Sequence, residues 1–298
     1  FLKTTNEDFR GKIALEDSHI APFANFPYIS VDLEGVRVYK SKQDTTAIVN
    51  LKDIYLGFNV ISLLSGDFNI NMIQLTDGYI HVHQNEQSNF DILQAFETTH
   101  PIDDVEEEFH FALDEIELDG VDIKKTDPDS LTIDGFVQHA TIELSNKPEH
   151  LYLDVDLSAN MNIIEKGDTS FLHNKSTHLK TRLDYIKSTQ LVQLSESSLD
   201  VMNSIFNVSG VIDIDDEFNL DLNIDGKKSD FSLLIALSPD DLIPLLNSFE
   251  NRGDVFFKAT ISGKSIHGHI PRITADFGCK NGFFKNRKTE KTLEELTF

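Results

Sequence analysis

The sequence predicts a mainly β protein, built as a repetitive, mostly antiparallel sheet with a few short helices. Apolar and polar residues alternate at period two along much of the chain, small-residue pairs punctuate the alternating runs, and helical patterns are scarce. The 298 residues are 40% hydrophobic and 26% charged, which suits a folded chain rather than a disordered one.

The strands follow in order. Val31-Asp-Leu-Glu-Gly-Val-Arg-Val38, Ile73-Gln-Leu-Thr-Asp-Gly-Tyr-Ile80 and Ile116-Glu-Leu-Asp-Gly-Val-Asp-Ile123 share one form: apolar-x-apolar, a turn ending in Gly, then apolar residues again. Ala259-Thr-Ile-Ser-Gly-Lys-Ser-Ile266 echoes it. A strand–turn–strand unit recurring in this way points to a stacked, quasi-linear sheet. Phe109 to Leu113, Leu151-Tyr-Leu-Asp-Val-Asp-Leu157, Ile212-Asp-Ile214, Phe218 to Ile224 and Phe257 to Ile261 alternate cleanly, with Asp and Asn facing outward. Asp77-Gly78, Asp119-Gly120, Ser209-Gly210, Asp225-Gly226 and Ser262-Gly263 are expected to close hairpins, because Gly supplies the positive φ of tight connections.

Short helices are expected at Val60 to Leu64, at Asn89 to Phe96, and over 239–249. The last has Ser238 as N-cap, Pro239 at the first helical position and two acids in its first turn, with Pro244 shortening it. Thr98 to Glu108 and Glu165 to Thr177 read as loops. The expected organisation is an N-terminal β-segment with short helices over 1–97, an acidic linker over 98–108, a continuing sheet over 109–279, and a polar connector over 280–298. The opening on Phe1 and the ending on Phe298 lead us to expect further chain at both ends, including a cleaved signal or membrane anchor upstream.

Charge narrows the function. Twenty-six Lys and Arg against fifty Asp and Glu give a net charge of −24, a field that repels nucleic acid and anionic bilayer surfaces. A single cysteine, Cys279, rules out an intrachain disulfide and thiolate zinc frameworks. No P-loop, nucleophile elbow, dinucleotide fingerprint or HExxH helix occurs, so the expectation is no enzyme, no cofactor and no metal. His81-Val-His83 and His267-Gly-His269 have strand spacing that can ligate a metal, but read better as solvated strand ends. Asp154-Val-Asp156 and Asp213-Ile-Asp-Asp216 lack the ligand spacing of a calcium loop and read as outward strand faces.

Twenty-two Phe on alternating strands, with few helices to cover them, leave an apolar sheet face that must be buried against something. A second sheet, a sheet curled on itself, or a lipid would serve. On physical grounds alone, self-covering in a sandwich is preferred.

The chain resembles the AsmA-like proteins of Gram-negative envelopes, related in architecture to TamB and the bridge-like lipid-transfer proteins. Phe26-Pro-Tyr-Ile-Ser-Val-Asp-Leu33, Ile61-Ser-Leu-Leu-Ser-Gly-Asp-Phe-Asn-Ile70, Ile73 to Ile80 and Ser88-Asn-Phe-Asp-Ile92 carry the likeness in the N-terminal part. Val208-Ser-Gly-Val-Ile-Asp-Ile214, Leu222-Asn-Ile-Asp-Gly-Lys-Lys-Ser-Asp-Phe231 with the Pro239 helix, and Gly263 to Phe277 follow in the family's order. The resemblance implies an extended, curved sheet holding an apolar groove, a periplasmic protein anchored to the inner membrane, and a part in phospholipid movement and outer-membrane homeostasis. It also implies no catalytic residues, and it turns the preference from a sandwich to an open trough. The family's N-terminal membrane helix is not in this sequence.

The expected function is therefore non-enzymatic lipid binding and transfer, with phospholipid acyl chains and other envelope proteins as partners. Leu118, Leu153, Val155, Leu220, Leu222, Phe257 and Ile261 are the groove candidates. An envelope assembly scaffold that pairs exposed strand edges is the alternative, and a carbohydrate-active enzyme or adhesin is a third reading.

Overall fold

A computed structural model describes residues 9–22, 25, 27–66, 69–84, 90–97, 113–126, 131–165, 168–169, 173–228, 230–266 and 269–298. The protein is mainly β and mostly antiparallel, with sixteen strands and four short α-helices among the described residues. It forms two compact units, residues 1–145 and 146–298. The predicted linker at 98–108 and most of the predicted strand at 109–113 lie outside the described residues.

The first unit pairs β1 (Lys12–Ala14) and β2 (Asp17–Ala21) with one edge of β3 (Tyr28–Tyr39). The sheet continues through β4 (Val49–Asn59), β5 (Ile70–His83), β6 (Glu115–Thr126) and β7 (Leu131–Asn146). β5 and β6 are parallel, which requires a crossover between them. Two predicted helices appear here, α1 (Val60–Leu64) and α2 (Asp91–Ala95). Asn59 caps α1, its side-chain oxygen accepting from the Ile61 and Ser62 amides at 2.9 and 3.3 Å. Val36, Val38, Val49, Leu51, Met72, Val121 and Val137 are buried in this unit.

The second unit is an antiparallel run of β8 (His150–Glu165), β10 (Lys175–Ile186), β11 (Leu191–Val201), β12 (Ser204–Asp213), β13 (Asn219–Lys228), β14 (Phe249–Lys264), β15 (Arg272–Asn286) and β16 (Thr292–Leu296), with β9 (Asp168–Thr169) on β8. Between β13 and β14 the chain forms α3 (Ser232–Ala236), a 3-10 turn (Asp240–Leu242) and α4 (Ile243–Leu246). The predicted helix over 239–249 is thus only one turn of each kind. Ser238 does not cap it; its hydroxyl donates back to the Leu234 carbonyl at 2.7 Å and closes α3 instead. Within the apolar run Phe231–Leu237 lies α3, a helix not expected from the sequence pattern. Part of the predicted loop 165–177 is strand, and the predicted connector 280–298 contains the end of β15 and all of β16.

The Gly pairs behave differently from expectation. Asp77-Gly78, Asp119-Gly120, Ser209-Gly210, Asp225-Gly226 and Ser262-Gly263 all fall inside continuous strands and close no hairpin. In the repeat, the apolar pattern slips phase, from Val31 and Leu33 to Val36 and Val38, and from Ile116 and Leu118 to Val121 and Ile123. An extended strand alternates faces strictly, so such a slip needs a residue that breaks the alternation. Gly35 (φ +60°), Asp77 (+47°) and Gly120 (+65°) take left-handed conformations at those points. Asp77 and Gly120 stand side by side, between the pairs Thr76–Asp119 and Gly78–Val121, so neighbouring strands break together and keep register. Leu118 before the break and Val121 after it are both buried. Real hairpins use other residues: Met202 and Asn203, both at positive φ, close the loop between the paired Val201 and Ser204.

Gly78 meets its neighbours most tightly in the first unit. A carbon added there would sit 2.1 Å from the Asn50 carbonyl oxygen, whereas one at Gly263 meets nothing within 4 Å. Both residues have positive φ. Gly78→Ala is expected to lower stability by about 2–3 kcal/mol and Gly263→Ala by about 1 kcal/mol, read from urea midpoints. Equal losses would show that backbone conformation alone, and not the close approach, sets the cost.

Candidate functional site

Directly paired residues on neighbouring strands point to the same side of a sheet, so the register of the second unit defines its faces. Starting from Leu153 on β8, the partners run Leu183, Leu194, Gly210, Leu222, Ile261 and Ile273. This row crosses seven strands and carries apolar side chains throughout, with Gly210 as its one gap. A parallel row runs Tyr185, Val192, Ile212 and Leu220, ending opposite Gly263. A third begins at Leu157, Leu179, Leu199 and Phe206. Further along, Phe257 faces Phe277.

The seven groove candidates separate on this map. Leu153, Val155, Leu220, Leu222, Phe257 and Ile261 occupy one face of the second unit. Leu118 belongs to the first unit, where it is buried opposite Leu75 and Ala140. It is a core residue there.

The opposite face is polar. Arg182 Nε donates to Asp154 at 2.7 Å, and His178 and Lys180 contact the Asp156 carboxylate at 2.6 and 3.0 Å. Those contacts, His178 foremost, hold the Asp156 carboxyl below the usual range. Lys264 bridges Asp216 and Glu217. Asp154 and Asp156 thus lie on an outward strand face with facing cations. Of Asp213-Ile-Asp-Asp216 only Asp213 is strand, since β12 ends there and Asp215 and Asp216 lie in the turn that follows.

Phase slips on the apolar face are absorbed by bulges. β11 passes from Val192 and Leu194 to Leu199 and Val201, and its register shifts between Ser195 and Ser198 against β10 and between Leu194 and Ser197 against β12. The hydroxyls of Thr181 and Ser197 meet on this face and satisfy one another. β15 passes from Cys279 to Phe284 through a shift next to Asn281, which is left-handed at φ +54°.

Helices cover one end of the face. Leu233 and Ala236 of α3 pack with Val201 and Phe206, joined by Leu199, Ile224 and Phe257. Phe206 meets Phe257 edge to face at 5.6 Å. Phe231 packs with Val255, Cys279 and Phe284. Full burial of Phe206 and Leu233 contributes about 2–3 kcal/mol each. Toward the other end, Leu153, Leu220, Leu222 and Ile261 stay only partly buried, and Ile273 is 55% exposed.

A buried cation fastens the helical cover. Lys175, opposite Met161 at the start of β10, is 2% exposed. Its ammonium donates to the Ser238 carbonyl at 3.0 Å and to Asp240 Oδ1 at 2.7 Å. His173 Nδ1 lies 3.2 Å from the other Asp240 oxygen. The Lys175 hydrogen bond, then that of His173, holds the Asp240 carboxyl below the usual carboxylate range. Nothing in the local sequence marked Lys175, because its partner lies 65 residues away.

Lys175→Met keeps the apolar stem and removes the latch, and is expected to lower stability by about 1–2 kcal/mol, since Asp240 is left near solvent. A carboxylate with a depressed pKa stabilises the folded state above the ordinary carboxylate range, and that contribution fades as pH falls through the depressed value. The gap between wild type and variant in denaturant midpoints should be widest near neutrality and shrink below about pH 4. A gap that does not change with pH would reject the latch.

No family model, curated protein or solved structure matches the chain, so its function is argued from the geometry of this face.

Proposed function

We propose that the apolar face of the second unit holds phospholipid acyl chains, making the protein a non-enzymatic lipid-binding and lipid-transfer module of the AsmA-like kind. The observation that carries this reading is the seven-strand row from Leu153 to Ile273, apolar along its length and partly open to water. An exposed contiguous apolar surface on a chain of net charge −24 has an occupant or aggregates. Six inter-strand steps of ~4.8 Å make the row about 29 Å long. One acyl chain spans half of a ~30 Å bilayer core, so the row accommodates one chain with room to move along it.

The mechanism is passive. Each buried methylene contributes about 0.8 kcal/mol, and no polar group in the row favours one position over another. A chain is held by area and slides by exchanging equivalent contacts. The headgroup stays in water beyond the rim. In this proposal the protein works in the periplasm, with an inner-membrane anchor preceding the chain, and supports phospholipid movement between inner and outer membranes.

A second reading is an envelope scaffold that pairs partner strands. It draws on β16 (Thr292–Leu296), the last strand in the order, four of whose five residues are exposed.

Native mass spectrometry of the purified protein is expected to find bound phospholipid, lost at least tenfold in the double variant Leu222→Asp, Ile261→Asp with its far-ultraviolet circular dichroism unchanged. Absence of lipid from the wild type, with partner proteins captured equally by wild type and variant, would replace lipid handling by the scaffold reading.

A further inference from the structure

His19 lies directly opposite Asp32 in the pairing of β2 with β3, and Glu34 is two residues further along β3 on the same face. The His19 imidazole places Nδ1 3.1 Å from Glu34 Oε1 and Nε2 3.6 Å from Asp32 Oδ2. One ligand atom from each residue can be taken so that all three lie within 4.8 Å of one another. Among the described residues this is the only group of three or more such side chains so placed. Neither histidine pair singled out in the sequence belongs to it. Zinc-class ions bond nitrogen and oxygen ligands at ~2.0–2.2 Å in a tetrahedron, which sets ligand atoms ~3.4 Å apart. Reaching that spacing requires the His19 ring to turn one nitrogen toward both carboxylates.

A second observation points to a ligand. The Asp32 side chain is 7% exposed, and its Oδ1 is buried with no hydrogen-bond partner among the described residues. A buried carboxylate oxygen left unpaired is costly, and a bound cation removes the cost. Asp53 and Glu34 add like charge beside Asp32, against which His19 and Lys52 act. Lys52 lies 3.2 Å from Asp53 and 3.8 Å from Asp77. Burial, then repulsion from Asp53, pushes the Asp32 carboxyl up.

We propose that His19, Asp32 and Glu34 bind one divalent transition-metal cation of the zinc class, completed by water, which ties β2 to β3. One imidazole with two carboxylates suits such an ion better than calcium or magnesium, which favour oxygen ligands throughout. The side chains of His19 and Glu34 are about half exposed, so the ion reaches the site from solvent. The cation also has mechanical value there. Four of the five residues of β2 are exposed, so little apolar burial holds that strand to the sheet. Coordination from both strands supplies what packing does not.

The test is calorimetric titration of chelator-treated full chain with zinc, paired with cobalt absorption as a report of coordination. Wild type is expected to bind one equivalent at micromolar affinity or better and to gain thermal stability on loading. Asp32→Asn and His19→Ala are each expected to weaken binding at least tenfold and to abolish the thermal gain, while His81→Ala behaves as wild type. Asp32→Asn removes a buried charge with little change of shape, and His19 is half exposed, so both variants should fold. One equivalent bound equally by wild type and both variants would place the metal elsewhere among the 11 histidines and overturn the proposal. So would a wild type that binds only at millimolar zinc.

Discussion

Side chains alternate between the two sides of a strand, so the apolar face of residues 146–298 exists only while neighbouring strands stay in register. A slip of one residue anywhere between β8 and β15 would send Leu222 or Ile261 to the side that carries Asp221 and Thr260. The register survives each place where the apolar pattern itself slips. β11 and β15 absorb the slip with an extra residue, near Ser197 and Asn281. In the first unit, left-handed residues at Gly35, Asp77 and Gly120 do the same work without an insertion. In each case the backbone departs from extended geometry where the sequence departs from period two.

The two ends of the apolar face of the second unit are held differently. At one end Phe206, Leu233 and Val255 are shielded by the helical segment, and the interactions there resemble those of any core. Lys175 and Asp240 add an ionic fastening to that cover. At the other end Leu220, Leu222 and Ile273 have no such partner in the described clusters and keep contact with water. Charge pairing on the reverse face, such as Arg182 with Asp154, suits that side to water.

How much of this was legible differs by feature. Clean alternation over Leu151 to Leu157 and Phe257 to Ile261 marks both strands and puts Leu153 with Val155, and Phe257 with Ile261, on one side of each, because period two is a local property. That the two pairs share a face follows only from the register. The Gly pairs were misread because positive φ serves a hairpin and a mid-strand break equally well, and only the pairing of Asp119 with His139 and Val121 with Val137 separates the two. Leu118 has the same local pattern as the groove residues, yet it is buried, between Leu75 and Ala140 on the neighbouring strands. The helix α3, Ser232–Ala236, is not legible in the sequence, since five residues are too few to show a helical period.

By itself, the sequence determined a mainly β, mostly antiparallel chain with one apolar and one acidic side to its strands, and few helices. Those properties follow from residue type and spacing alone. Tertiary structure decided which strands are neighbours, and hence that Leu153 and Ile273 end one continuous row. It decided that Lys175 closes on Asp240, and that His19 meets Asp32 across a strand pair. Such contacts join residues tens of positions apart in the chain, or across a register that no local pattern encodes.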